Sequence, residues 1–299
     1  MSCSDHHHHS HSHSDSAFAW GSVWNGLLVA GEFAVGAWTG SAALLADATH
    51  NLSDTLSLLL AWGARAAARL PATSERTYGH RRLTAICAFV NAVVLLGTLG
   101  FIAWEAVTHW NDQNPMKYGV VMVTAAAALL VNGWTAWSLH KGSEHDLNTR
   151  AAYLHMATDA GVSLAVLVGA GISAVTGWRW IDGALALTIV AMTLKSSWPV
   201  CVESWRMVAD GVPANIDLPQ VRAALLAMPG VTGAHDLHVW SLSTTESALT
   251  AHLVVNHERL DNRFLGVVHE SLRNRFGIAH TTLQVEASEP PLCHGCPLA

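Results

Sequence analysis

Residues 41–62 read SAALLADATHNLSDTLSLLLAW, and residues 151–167 read AAYLHMATDAGVSLAVL. Both are apolar, helix-forming runs interrupted by the same pair: a histidine and, four positions later, an aspartate. The pairs are His50 with Asp54 and His155 with Asp159. Residues four apart share one helix face, so each run presents an imidazole and a carboxylate together. Ionisable groups at the centre of a bilayer cost about 3 kcal/mol or more apiece and mark functional positions by default. Two such helices brought together would offer two nitrogens and two oxygens, a tetrahedral donor set that suits Zn2+. The two carboxylates would also offset the charge of a dication. One pair alone is weak evidence, since a local His–Asp contact facing neighbouring helices also explains it; its repetition in a second apolar run is the argument for a metal.

The rest of the chain supplies the membrane that this reading needs. Only 13% of the 299 residues are charged while 51% are hydrophobic, against about 25% charged in an ordinary soluble domain. The deficit is confined to residues 17–205, and residues 206–288 have the composition of a water-soluble domain. Six apolar stretches, 17–39, 42–68, 83–108, 118–140, 149–175 and 180–204, each approach the roughly 20 residues that span a bilayer. The first follows a polar His/Ser stretch with no basic segment or cleavage site, and so reads as a retained helix and not a signal peptide. Arg65, Arg69, Arg76, Arg81, Arg82, Lys141 and Arg150 gather on one side of the spans. By the positive-inside rule both termini are then cytoplasmic. Trp20, Trp24, Trp38, Trp104, Trp110, Trp178 and Trp180 fall near span ends, as an aromatic belt would.

Formal net charge is −6, and no basic stripe suggests a nucleic-acid partner. Cys3, Cys87, Cys201, Cys293 and Cys296 are too scattered for a disulfide framework. Residues 1–16, MSCSDHHHHSHSHSDS, form a low-complexity tail that reads as an exchangeable metal collector. Asp47, three positions before His50, is read as a positioning or proton-pathway group. Glu32, Asn91, Asn132 and Asp182 are read as hydrogen-bonding groups between helices.

After Trp205 the pattern changes. Asp217 caps a helical run from Leu218 to Met228, with Pro219 tolerated in its first turn. Alternating segments at 234–242 and 248–255, a helix at 260–276 and a strand at 279–287 complete the order helix-strand-strand-helix-strand. That order predicts an α+β domain with helices on one face of a three-stranded sheet. His235 and His238 lie in its first strand and His252 in its second. The last strand places His280, Thr282, Gln284 and Glu286 on one face. Cys293 and Cys296, in a C-x-x-C pair within the 289–299 tail, have the spacing to add thiolates to one metal.

ALLADATHNLSD (43–54), RTYGHRRL (76–83) and DLNTRAAYLHMATDAGVS (146–163) resemble the cation diffusion facilitator family, in its zinc-exporting bacterial branch. The resemblance implies a homodimer in the bacterial inner membrane, with a six-transmembrane-helix bundle followed by a cytoplasmic ferredoxin-like α+β domain. It implies that His50, Asp54, His155 and Asp159 form the transport site, that export is coupled to proton entry, and that a His at position 50 goes with zinc over cadmium. It also implies a regulatory metal on positions matching His235, His252 and Glu286, with Gln284 standing where some members have a ligating His. A further loop site found in some members is not expected, because Arg76 occupies one of its His positions and only His80 remains.

Zn2+ is thus expected as cargo and as regulatory ligand, with no organic cofactor. Protons and metal compete for imidazole nitrogens near neutral pH, which lets an inward proton gradient drive export. An enzyme is not expected: no H-E-x-x-H occurs, and four protein ligands leave no open position for an activated water. Co2+, Ni2+ or Fe2+ as main cargo remains open, since affinity discriminates poorly along this series. A non-transporting membrane metal sensor is the other alternative.

Overall fold

The structure is a computed structural model that describes residues 12–110, 116–140, 147–255 and 262–287. Each of the six apolar stretches is one helix: α1 Ser12–Thr39, α2 Ala42–Ala68, α3 Leu83–Thr108, α4 Tyr118–His140, α5 Leu147–Thr176 and α6 Trp180–Val208. Four of them, α3, α4, α5 from Thr149 and α6, are long and apolar enough to cross a membrane by length and composition. Among the described residues, α1 offers a shorter apolar run, Gly26–Thr39. In α2 the apolar run is diluted by the polar residues Asp47, His50, Asn51 and Asp54.

The chain divides into two compact units, one of Met1–Ser57 with Val94–Ser196 and the other of Leu58–Val93 with Ser197–Ala299. The first unit is built around small side chains. Ala42, Ala43, Ala46, Ala106, Ala125 and Ala186 are buried beside Leu99, Ile102, Val121 and Val166, while Val123, Leu130, Trp134, Trp137 and Val175 point outward and are highly exposed. Small residues inside and large apolar residues outside is the arrangement a helix bundle takes in lipid, where close backbone packing replaces the hydrophobic effect. The α1–α2 turn shows how closely the backbones approach. Gly40, at φ +72°, ends α1, and a Cβ on Gly36 would meet Leu45 at 3.0 Å. Asp182 at the start of α6 accepts hydrogen bonds from Ser41 Oγ (2.6 Å) and from the Ala42 amide (2.7 Å), so α6 caps α2. This is the hydrogen bonding between helices expected of Asp182.

In the second unit the chain continues through α7 Leu218–Leu226, β1 Val231–Ser241, β2 Ser247–Val255, α8 Asn262–Phe276 and β3 Ile278–Glu286. Asp217 caps α7, accepting from the Gln220 amide. The sheet order is β1-β2-β3, with β2 antiparallel to β1 and parallel to β3. Val221 and Leu225 of α7 and Val268 and Leu272 of α8 are fully buried with Leu249, Leu253 and Ile278 of the sheet. Such a one-sided α/β layer buries one sheet face and leaves the other free for chemistry. The connector before α3 is tied to this domain: Arg81 Nη1 lies 2.6 Å from Glu246 Oε2, Arg82 pairs with Asp210, and the Thr244 amide donates to Thr84 Oγ1 at 3.1 Å.

Candidate metal centres

The helical periodicity of α2 and α5 sets up the first centre. His50 and Asp54 project from one face of α2, and His155 and Asp159 from one face of α5. The structure brings the two faces together. His50 Nε2 lies 3.7 Å from Asp54 Oδ2 on its own helix and 3.7 Å from Asp159 Oδ1 across the gap. His155 Nε2 lies 3.3 Å from Asp54 Oδ2 and 3.7 Å from Asp159 Oδ2. Around a tetrahedral zinc with ligands at 2.0–2.1 Å, neighbouring donors stand about 3.3 Å apart. These four imidazole–carboxylate pairs are therefore already near the separations that one ion imposes, although Asp54 falls outside the group of donors that all lie within 4.8 Å of one another. His50, His155 and Asp159 hold donor atoms mutually within 4.8 Å, and Asp54 faces both imidazoles.

Asp54 Oδ2 and Asp159 Oδ1 are buried atoms without a hydrogen-bond partner. A buried carboxylate oxygen left unpaired is costly, and a cation between the helices would satisfy both. Asp159 is only 2% exposed, whereas His155 is 43% exposed, so the site is sealed at one corner and open at another. A cavity of about 330 Å³ reaches it, lined by His50, His155, Asp159, Met192, Thr193 and Ser196.

Two further carboxylates lie in the same unit. Asp47 is 1% exposed; Ser163 Oγ donates to its Oδ2 at 3.5 Å, and its Oδ1 has no partner. Glu32 of α1 is fully buried with neither carboxylate oxygen hydrogen-bonded. Its polar neighbour across the helix gap is the Asn51 side chain of α2.

The second centre lies on the free face of the C-terminal sheet. His235 pairs with His252 across β1 and β2, while His252 pairs with Gln284 and Val254 with Glu286 across β2 and β3. His235, His252 and Glu286 hold donor atoms mutually within 4.8 Å. Glu286 Oε1 lies 3.1 Å from His252 Nδ1, and Oε2 lies 3.4 Å from His235 Nε2. Both His235 Nε2 and Glu286 Oε2 are buried without a hydrogen-bond partner, so these residues fit a bound cation. Gln284 Nε2 donates to Glu286 Oε1 at 2.9 Å, so this side chain braces the carboxylate. Cys293 and Cys296, like Cys3 and the histidines of residues 1–11, lie outside the described residues. His280 stacks edge-on against Tyr78, with ring centroids 5.6 Å apart. Among the described residues, these two centres are the groups of three or more such side chains placed to hold a metal.

Residues 20–208 match the model of the cation efflux transmembrane domain, and residues 213–288 that of the cation efflux protein cytoplasmic domain. The chain is 35% identical over 265 residues to the metal cation efflux system protein CzcD of Cupriavidus metallidurans, covering 87% of this chain and 83% of that one. It is 35% identical over 266 residues to the zinc transporter ZitB of Escherichia coli, covering 88% and 84%. It is 31% identical over 255 residues to a cadmium, cobalt and zinc/H(+)-K(+) antiporter of Bacillus velezensis, covering 84% and 81%. A solved metal-bound C-terminal domain of CzcD from Cupriavidus metallidurans is 36% identical, covering 24% of this chain and 99% of that one, with a TM-score of 0.21.

Proposed function

Because the chain belongs to the cation efflux family of membrane metal transporters, we propose that it exports Zn2+ from the cytoplasm in exchange for protons, through one site made by His50, Asp54, His155 and Asp159. The observation that carries this reading is the convergence of the four side chains from α2 and α5 at 3.3–3.7 Å. Two imidazole nitrogens and two carboxylates suit zinc and leave no position for an activated water, which favours carriage over catalysis. Relatives named as zinc transporters support the same cargo.

The mechanism follows from the ligands. Deprotonated imidazoles and ionised carboxylates load the cation from the cytoplasmic side. Where proton activity is higher, protons displace it from the same atoms. Alternating access between the two sides then couples downhill proton entry to uphill metal exit, with no need for ATP. In this reading all six helices span the inner membrane, and both termini, with the ferredoxin-like domain, are cytoplasmic. The protein works as a homodimer held through that domain. A metal on His235, His252 and Glu286 would neutralise the carboxylate on the sheet face and favour one arrangement of the dimer.

Metal accumulation by proteoliposomes tests the cargo and the site together. Wild type should accumulate zinc ahead of cobalt, nickel, cadmium and manganese under an imposed pH gradient, and Asp159→Ala should not. Accumulation that Asp159→Ala leaves intact would overturn the site. Zinc binding with no accumulation would favour a sensor.

A further inference from the structure

In β1 the residues His235 and His238 both pair with β2, His235 with His252 and His238 with Thr250. Asp236 and Leu237 thus stand against the single residue Ala251, a two-against-one bulge. The bulge breaks strict alternation, so two histidines three positions apart share the metal-bearing face. Asp236 itself takes a left-handed backbone, φ +49°, a conformation few residues other than glycine adopt and one that Asp tolerates. Its carboxylate ends between two rings. Oδ1 lies 3.0 Å from His238 Nε2, and Oδ2 lies 3.5 Å from His252 Nε2, a few tenths of an ångström beyond the usual limit of about 3.2 Å. On its other side, His252 turns Nδ1 toward Glu286.

We propose that Asp236 is the outer carboxylate of the C-terminal metal centre, a positioning residue that holds His252 with Nε2–H toward itself and presents Nδ1 to a divalent cation shared with His235 and Glu286. The proposal rests on the reading of that centre as a metal site. A histidine that ligates through one nitrogen is oriented by an acceptor at the other, and losing that acceptor lowers metal affinity about 10–100-fold. His238 completes the arrangement by fixing the far oxygen of Asp236. The order His238, Asp236, His252, Glu286, His235 is then one continuous polar row across all three strands. The left-handed backbone is what aims the carboxylate. A residue in ordinary extended geometry would continue the alternation and point away.

The test uses the full-length protein in detergent, with the membrane site silenced by Asp54→Ala and Asp159→Ala. It is titrated with Co2+, read by its visible d–d absorption, and then with competing Zn2+. The signal assigned to the C-terminal centre is the part that Glu286→Gln removes. Asp236→Asn keeps the shape, and Asp236→Gly relieves the left-handed backbone while deleting the carboxylate. Both should weaken Co2+ and Zn2+ at that centre about 10–100-fold and shift the absorption bands, without lowering the melting temperature of the metal-free protein. Asp236→Gly with wild-type affinity and spectrum would overturn the proposal, because the residue would then serve only the bulge. If Glu286→Gln removes no signal, the centre is not a metal site and the proposal falls with it.

Discussion

His155 Nε2 stands 3.3 Å from Asp54 Oδ2, which places a candidate ligand of α5 against a candidate ligand of α2. His50 and Asp159 stand 3.7 Å apart across the same gap, so each His-x-x-x-Asp pair faces the other, and in the proposed site neither is complete alone. The four side chains should therefore behave as a unit. Asp54→Ala and His155→Ala should each lower zinc affinity and zinc transport by more than about 100-fold, beyond the loss of an outer partner. Combining them should add little further loss. Equilibrium zinc binding beside vesicle uptake checks both statements.

The pH dependence has a definite sign. A metal needs the unprotonated imidazole, whose ordinary midpoint is about 6.5. Below that value each imidazole that must shed a proton lowers apparent affinity about tenfold per pH unit, so a site with two loses up to ~100-fold per unit. Zinc affinity measured from pH 8 down to pH 5 should be flattest at the alkaline end and fall most steeply at the acid end. The steep limb should become shallower in His50→Ala.

Replacing an imidazole by a carboxylate should alter selectivity more than it impairs transport. His50→Asp gives three carboxylates and one imidazole, a harder and more adaptable set that admits larger ions through bidentate contacts. Cadmium accumulation should rise relative to zinc by about tenfold or more. An unchanged zinc-to-cadmium ratio would mean that position 50 does not set selectivity.

On the C-terminal sheet, Gln284 braces Glu286 with an amide where a histidine would offer another nitrogen. Gln284→His should raise zinc affinity at that centre by about tenfold or more, since a fourth protein ligand completes a tetrahedral set. Calorimetric titration reads the change.

Asp182 makes a different kind of contribution. It accepts from Ser41 Oγ and the first amides of α2, and so caps the helix that carries His50 and Asp54. Asp182→Ala should lower stability in detergent by about 1–3 kcal/mol, because those donors are left unmatched. Zinc should keep its rank among the tested metals. Thermal unfolding and the metal panel separate the two effects.

The elements were legible from short-range pattern alone. Apolar runs bounded by Gly40, Arg81 and Gly177 coincide with the helices, and alternation around Leu249 and Leu253 with a strand. His50, Asp54, His155 and Asp159 were legible because a spacing of four is a geometric statement about a helix, and its repetition implied convergence. Asp236 was not legible. Its role depends on a bulge, and no local pattern distinguishes HDLH on a regular strand from HDLH with one residue pushed out. Asp182 was read as a contact between helices, but its partner at the start of α2 lies about 140 residues away and only the packed bundle names it.

The most direct test of proton-coupled zinc export is proton movement across proteoliposomes when a zinc gradient is imposed at clamped membrane potential. A pH-sensitive dye inside should report proton movement opposite to zinc in the wild type and none in Asp159→Ala. Zinc crossing with no accompanying proton movement, or a proton response that survives Asp159→Ala, would contradict it.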